Sequence, residues 1–400
     1  MIPRYAATYS WGEFGAAALE CSVGDPRAAL ASRLTGLFDT RHVFLFRSAS
    51  AALCAALRAY SRPGGVLMPA YICVEVPEAV CYAGYRPVFV DIDYQSLNAT
   101  AAAIEQAFTT DTTVVLATHL FGVPCQIDEI LDIGRRRHAL VVEDVAPALG
   151  ATFGGTLVGR LGDCAIVSFH STKVVSAGGG GALITDNHGL AQAVRAVIRG
   201  GLPPDSNWNP LAKTAIWKLA THRYCYGMLQ RIYTLLRGEA MFEKVTPQLT
   251  MPAGFLRGCS PFSASLAAAQ LSGLEANLKR RRALAEMYMN QLRNAAIGHP
   301  RIPSRSEPAW IQYSVTVEDR AAFYRHMRSH GIDLSWTYRY CSAESFGQDG
   351  FPNARLAAQT VLGLPTYPSL SDEQGAKICR VVRAYRPTVK TPVKTTGPVL

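Results

Sequence analysis

Asp144, Ser168 and Lys173, near the middle of the chain, are an acid, a hydroxyl and an amine that could act together. An apolar run over 140–142 ends in Glu143-Asp144, and a second, over 164–169, carries Ser168 and is followed by the lone Lys173. In a parallel α/β sheet, groups at the carboxyl ends of strands converge on one crevice. The three would then meet as a pyridoxal phosphate site requires, with an amine to tether the cofactor, a carboxylate for its ring nitrogen and a hydroxyl for its phosphate. A lysine beyond an apolar strand is weak evidence alone, because most lysines are solvated ends. Asp144 without the Lys173 motif reads more readily as a helix N-cap at a strand end.

The elements that must position these groups follow from periodicity. Short apolar runs at 43–46, 66–68, 87–91, 113–117, 139–142 and 182–185 read as strands, and 51–60, 127–137 and 190–199 as helices. Strands alternating with helices predict a largely parallel sheet covered on both faces. Four hundred residues at 49% apolar and 18% charged composition suffice for one large and one small domain. No apolar run approaches the ~18 residues of a membrane span, and the first residues lack a signal peptide's apolar core, so a cytoplasmic protein is expected. The ten cysteines are dispersed without a C-x-x-C pair, and Cys54, Cys81 and Cys164 sit in apolar segments, which predicts reduced core thiols and no metal site. The net charge of +10 is spread along the chain; it favours no nucleic-acid partner and suits a diphosphate-bearing substrate or an anionic membrane face equally.

Three stretches carry a resemblance. EDVAPALGA (143–151), GTLVGRLGDCAIVSFHSTK (155–173) and GGGG (178–181) are similar in order and spacing to the DegT/DnrJ/StrS sugar aminotransferases. That family belongs to fold type I of the pyridoxal-phosphate enzymes. The resemblance implies an α/β fold, with a large domain built on a mostly parallel seven-stranded sheet between helices and a smaller C-terminal α+β domain. It implies Lys173 as tether and proton shuttle, Asp144 at the ring nitrogen and Ser168 at the phosphate. Ala49 and Ser50 stand in the family's "SGTxAL" turn, where a helix N-terminus holds the phosphate. Cys73 occupies the place of the usual ring-stacking aromatic, leaving Tyr71 or Cys73 itself to cover the ring. Pro147 stands where a Gln often lies near the 3-hydroxyl, and Arg257 is the candidate for the "NYR" contact to a neighbouring subunit's phosphate. His119, in a segment similar to the family's "HLYG", could touch a ligand, though a strand-end histidine is more often structural.

The expected organisation is an N-terminal segment (1–42), a large cofactor domain (43–200), an insertion (201–250), a small domain (251–386) opened by one long helix from Ser263, and a disordered tail (387–400). Between 206 and 238 no acid occurs, while Lys213, Lys218, Arg223, Arg231 and Arg237 alternate with aromatic and aliphatic residues. Such a segment suits a membrane interface or a helical hairpin packed on the subunit or dimer surface. The lysine at position 173, rather than a histidine, points to the transaminase branch of the family. The resemblance implies transfer of an amino group from an amino acid, with glutamate the expected donor, to a nucleotide-linked keto sugar, in a homodimer. Two rivals remain: another fold type I reaction such as a lyase, and a non-catalytic cofactor-binding or membrane-associated assembly protein.

Overall fold

The computed structural model describes residues 1–199, 201–222, 224–237 and 245–387. Its centre is a seven-stranded sheet of β1 (His42–Phe46), β2 (Gly65–Pro69), β3 (Arg86–Val90), β4 (Thr112–Thr118), β5 (Leu140–Asp144), β8 (Cys164–Ser168) and β9 (Gly181–Thr185), in the order β1-β9-β8-β5-β4-β2-β3. The pairs from β3 across to β8 are parallel, and only β9 runs antiparallel to its neighbours β8 and β1. Every residue of β5 is buried, as expected of a strand covered on both faces. Alternation along the strands divides the core: Val114, Leu116 and Val142 face one layer, Val115, Ala117 and Val141 the other.

The first layer holds α3 (Ala49–Tyr60), α4 (Glu75–Tyr82) and α7 (His188–Val197). Alanines fill α3, so its backbone can lie close to the sheet, and Ser48 caps it by accepting the Ala51 N–H at 3.1 Å. The second layer holds α2 (Arg27–Phe38), α5 (Ala101–Ala107), α6 (Ile127–Arg137) and α10 (Pro261–Leu271).

Two expectations change. The N-terminal segment, assigned no helix from the sequence, forms α1 (Trp11–Val23) and α2, which pack on α10. Ser10 and Glu13 close a capping box, with the Ser10 N–H on Glu13 at 2.6 Å and the Glu13 N–H on Ser10 at 3.0 Å. The single helix expected from Ser263 is broken at Ser272-Gly273 into α10 and α11 (Leu274–Gln291). α10 is buried on all its sides in the large unit's core, Ser263, Ser265 and Gln270 included, whereas α11 packs on α15 (Asp372–Ala384). α10 therefore packs with the large unit and α11 with the smaller one. It contains α12 (Arg320–Ser329), α13 (Ser342–Ser345), α14 (Pro352–Thr360) and the antiparallel pair β11 (Tyr313–Thr316) and β12 (Val361–Leu364). A small third sheet joins β6 (Thr152–Phe153) and β7 (Thr156–Leu157) to β10 (Ser306–Glu307).

The insertion contains α8 (Trp208–Ala220) and α9 (Tyr226–Arg237). α8 buries Pro210 and Thr214, and α9 begins at Tyr226, whose hydroxyl donates to buried Asp333 of the smaller unit. Residues 238–244 and the 388–400 part of the expected tail lie outside the described residues. Among the described residues, no helix is long and apolar enough to cross a membrane.

Glu143 is wholly buried and receives the N–H groups of Gly159 (2.8 Å), Leu161 (2.8 Å) and Gly162 (2.6 Å), with His119 Nε2 at 3.1 Å. His119 Nδ1 accepts the Cys125 N–H at 3.1 Å, which places the ring's proton on Nε2. Although Glu143 favours a second proton on the ring, that proton would point at the Cys125 donor, so we assign a neutral imidazole. His119 is thus structural. Replacing Glu143 with Ala leaves the buried Gly159 N–H and the half-buried Leu161 and Gly162 N–H groups without an acceptor and is expected to cost roughly 2–4 kcal/mol. Urea denaturation checks this; a loss under about 1 kcal/mol would mean that the loop does not depend on the carboxylate.

Candidate active site

The site is built where β1, β8 and β9 meet the start of α3. Ser168, the last residue of β8, pairs with Gly181 of β9. A Cβ on Gly181 would collide with the Ser48 carbonyl carbon and the Ala49 nitrogen, so only glycine lets β9 pass this close to the helix N-terminus. The Ala49 and Ser50 N–H groups belong to the first turn, which has no partners within the helix. Ser50 is 9% exposed, and its hydroxyl has no hydrogen-bond partner among the described residues. Ser168 accepts the His170 N–H at 3.3 Å and keeps its own proton available. Positive helix end, unpartnered hydroxyl and nearby serine suit a phosphate dianion. Ser48 and Ser50 line a cleft of about 430 Å³ with His170, Gly179 and Lys213.

Adjoining this cleft, the turn after β8 brings Lys173 towards Asp144 at the end of β5. The Lys173 N–H donates to the His170 carbonyl at 2.9 Å. Asp144 is 4% exposed; Oδ1 accepts the Ala146 N–H at 3.0 Å, and Oδ2 has no hydrogen-bond partner among the described residues. Burial pushes its carboxyl above the usual value, opposed first by the charge of Lys173. Cys73 lies in the same group, its thiol pushed up to about 12 by burial and by Glu75 against the pull of Lys173. The arrangement offers an amine and a carboxylate with one open oxygen beside an anion cradle, without a cluster of acids, histidines or cysteines able to hold a metal among the described residues.

The sequence matches the DegT/DnrJ/EryC1/StrS aminotransferase family over residues 18–383. The chain belongs to that family. An uncharacterized protein of Methanocaldococcus jannaschii is 26% identical over 332 residues, 80% of this chain and 78% of the relative. Among solved structures, AtS13 from Actinomadura melliaura superposes with a TM-score of 0.77 at 22% identity, covering 96% of this chain and 99% of that one. The aminotransferase TlmJ from Streptoalloteichus hindustanus gives a TM-score of 0.75 at 23% identity, covering 96% and 98%. These likenesses establish the aminotransferase fold.

Among the residues singled out in the sequence, Asp144, Lys173 and Cys73 gather in one group, next to the Ala49, Ser50 and Ser168 cradle. Tyr71 does not offer a ring face: it is 1% exposed, with Phe121 and Tyr338 edge-on at 6.2 and 5.5 Å. Pro147 is buried in the turn after Asp144, and the N–H that reaches Asp144 comes from Ala146. Arg257 faces Asp205 at 3.7 Å, beside Arg47 on the same carboxylate at 3.3 Å.

Sequence reasoning missed Tyr338 and Phe121. Their rings lie at 28° and 5.6 Å, and the Tyr338 hydroxyl is held far above its ordinary value by burial, then by nearby Cys73, Tyr340 and Asp144. The smaller unit thus sets Tyr338, stacked on Phe121 of the large unit, beside the missing stacking position. Nothing in local spacing could reveal this, since Tyr338 and Cys73 lie far apart in the chain.

Asp144 supplies a pH test. Its folded value lies above its unfolded one, so folding takes up a proton between the two. The buried carboxylate then weakens the cofactor-free fold as pH rises through the folded value, and below about pH 4 the penalty is gone. Asp144→Asn should therefore raise the melting temperature of cofactor-free protein at pH 7, with the gain vanishing towards about pH 4. An equal gain at both pH values would contradict a buried charge.

Proposed function

We propose that the chain is a pyridoxal-phosphate-dependent aminotransferase that moves an amino group from an amino acid, glutamate being the expected donor, to a nucleotide-linked keto sugar. The observation that carries it is the gathering of Lys173, Asp144 with an open oxygen, and the Ser50 and Ser168 cradle. Bound there, the cofactor supplies an electron sink for a carbanion. Asp144 would hold a proton on the ring nitrogen, because a carboxylate within hydrogen-bond reach favours the charged ring. Lys173 would tether the cofactor and carry a proton between the substrate carbon and the cofactor. Ala49, Ser50 and Ser168 orient by their N–H and hydroxyl donors. DesI, at a TM-score of 0.74 and 22% identity, was solved in the presence of its TDP-sugar product, which supports a sugar nucleotide as acceptor. A homodimer that completes the site across a two-fold axis belongs to the same proposal.

Borohydride treatment of the cofactor-loaded protein should fix the cofactor on the peptide containing Lys173, and Lys173→Ala should abolish both the label and turnover. Glutamate should convert the bound cofactor to its amine form. A labelled Lys173 with no amine form from any amino acid donor would move the protein to a lyase or another fold type I class.

The peripheral membrane contact over 206–238 is a second reading, favoured by the exposure of Trp208, Ile216, Leu219, Met228, Ile232 and Leu235 on α8 and α9. The double variant Ile216→Glu and Leu235→Glu should lower binding to anionic liposomes while leaving the dimer intact. Loss of the dimer instead would assign the apolar face to the subunit interface.

A further inference from the structure

Resting on that reading, we infer that the inserted helix α8 is a wall of the active site and that Lys213 binds a phosphate group of the ligand. α8 is docked directly on the glycine turn that follows Lys173. Gly178 has φ of 73°, and a Cβ there would collide with Thr214 Oγ1 and approach the Pro210 carbonyl to 3.0 Å. The helix is held from two further sides: Tyr9 donates to the Thr214 carbonyl at 2.7 Å, and Asn207 accepts the Phe262 N–H at 2.9 Å. Asn209 and Lys213, four residues apart, share one face of α8. Both line the cleft that contains Ser48, Ser50 and Gly179.

The other cations around this cleft are already engaged. Arg47 lies 3.3 Å from Asp205 and donates to the Gly254 carbonyl at 2.9 Å, and Arg257 lies 3.7 Å from the same aspartate. Lys173 has the tethering role. Lys213 is exposed and has no ion pair among the described residues. Glu75 and Glu78 line the cleft from α4, and Glu78 accepts the Gln248 N–H at 2.7 Å; neither forms an ion pair with Lys213 among the described residues. Desolvation, then the charges of Lys173 and Lys213, hold His170, which also lines the cleft, below its ordinary value, so both lysines lie near it. A phosphate monoester of the cofactor and the diphosphate bridge of a sugar nucleotide share the chemistry that an ammonium and a helix N-terminus recognise.

The test uses the full chain with Lys213→Ala and Lys213→Arg. One arm titrates cofactor-free protein with pyridoxal phosphate and follows the absorbance of the bound form. The other titrates cofactor-loaded protein with thymidine diphosphate in a calorimeter. Lys213→Ala should weaken one arm by about tenfold or more, the size of one charged hydrogen bond, with Lys213→Arg close to wild type. The arm that moves identifies which phosphate Lys213 holds. Both constants within about twofold of wild type in Lys213→Ala, with an unchanged melting temperature, would overturn this inference alone. A wild-type chain that binds no pyridoxal phosphate would overturn the parent reading and this one with it.

Discussion

Two adjacent carboxylates at the end of β5 organise the site, because alternation along a strand sends them to opposite faces. Glu143 turns inward and is surrounded by three backbone N–H groups and His119. Asp144 turns towards Lys173 and keeps one oxygen open. The first fixes the 159–162 loop that leads into β8, and β8 carries Ser168 and the turn to Lys173. A structural acid and a chemical acid are thus held in register by a single strand.

The phosphate cradle depends on a second close approach. β9 crosses the start of α3 at Gly181 with no room for a side chain, and the same glycine-rich turn receives α8 at Gly178. The insertion is therefore not a remote appendage. Asn209, Pro210 and Lys213 of α8 are part of the wall of the cleft, while Trp208, Ile216 and Leu219 are exposed. The smaller unit approaches from the other direction, where Tyr338 stacks on Phe121 and lies near Cys73 and Asp144.

Much of this was legible in the chain. The apolar runs predicted the parallel core because strands covered on both faces must be apolar throughout, and the spacing of Asp144, Ser168 and Lys173 pointed to one crevice because β5 and β8 are neighbours. Where the reading failed, local pattern had no access to the deciding contact. α10 and α11 read as one helix because Ser272-Gly273 is a weak break, and what separates them is that α10 is enclosed between α1, α2 and α8 while α11 joins the smaller unit. The capping box at Ser10 and Glu13 was a local signal that went unused.

What the sequence alone determined was the sheet, the family and the order of the chemical residues, since these follow from side-chain type and short-range spacing. Only the tertiary structure decided that Glu143 is walled in while Asp144 is open, that Tyr71 is enclosed, and that Lys213 and Tyr338 reach the site. Each of those outcomes depends on which distant backbone comes within hydrogen-bond or packing distance, and that distance is set by the assembled core.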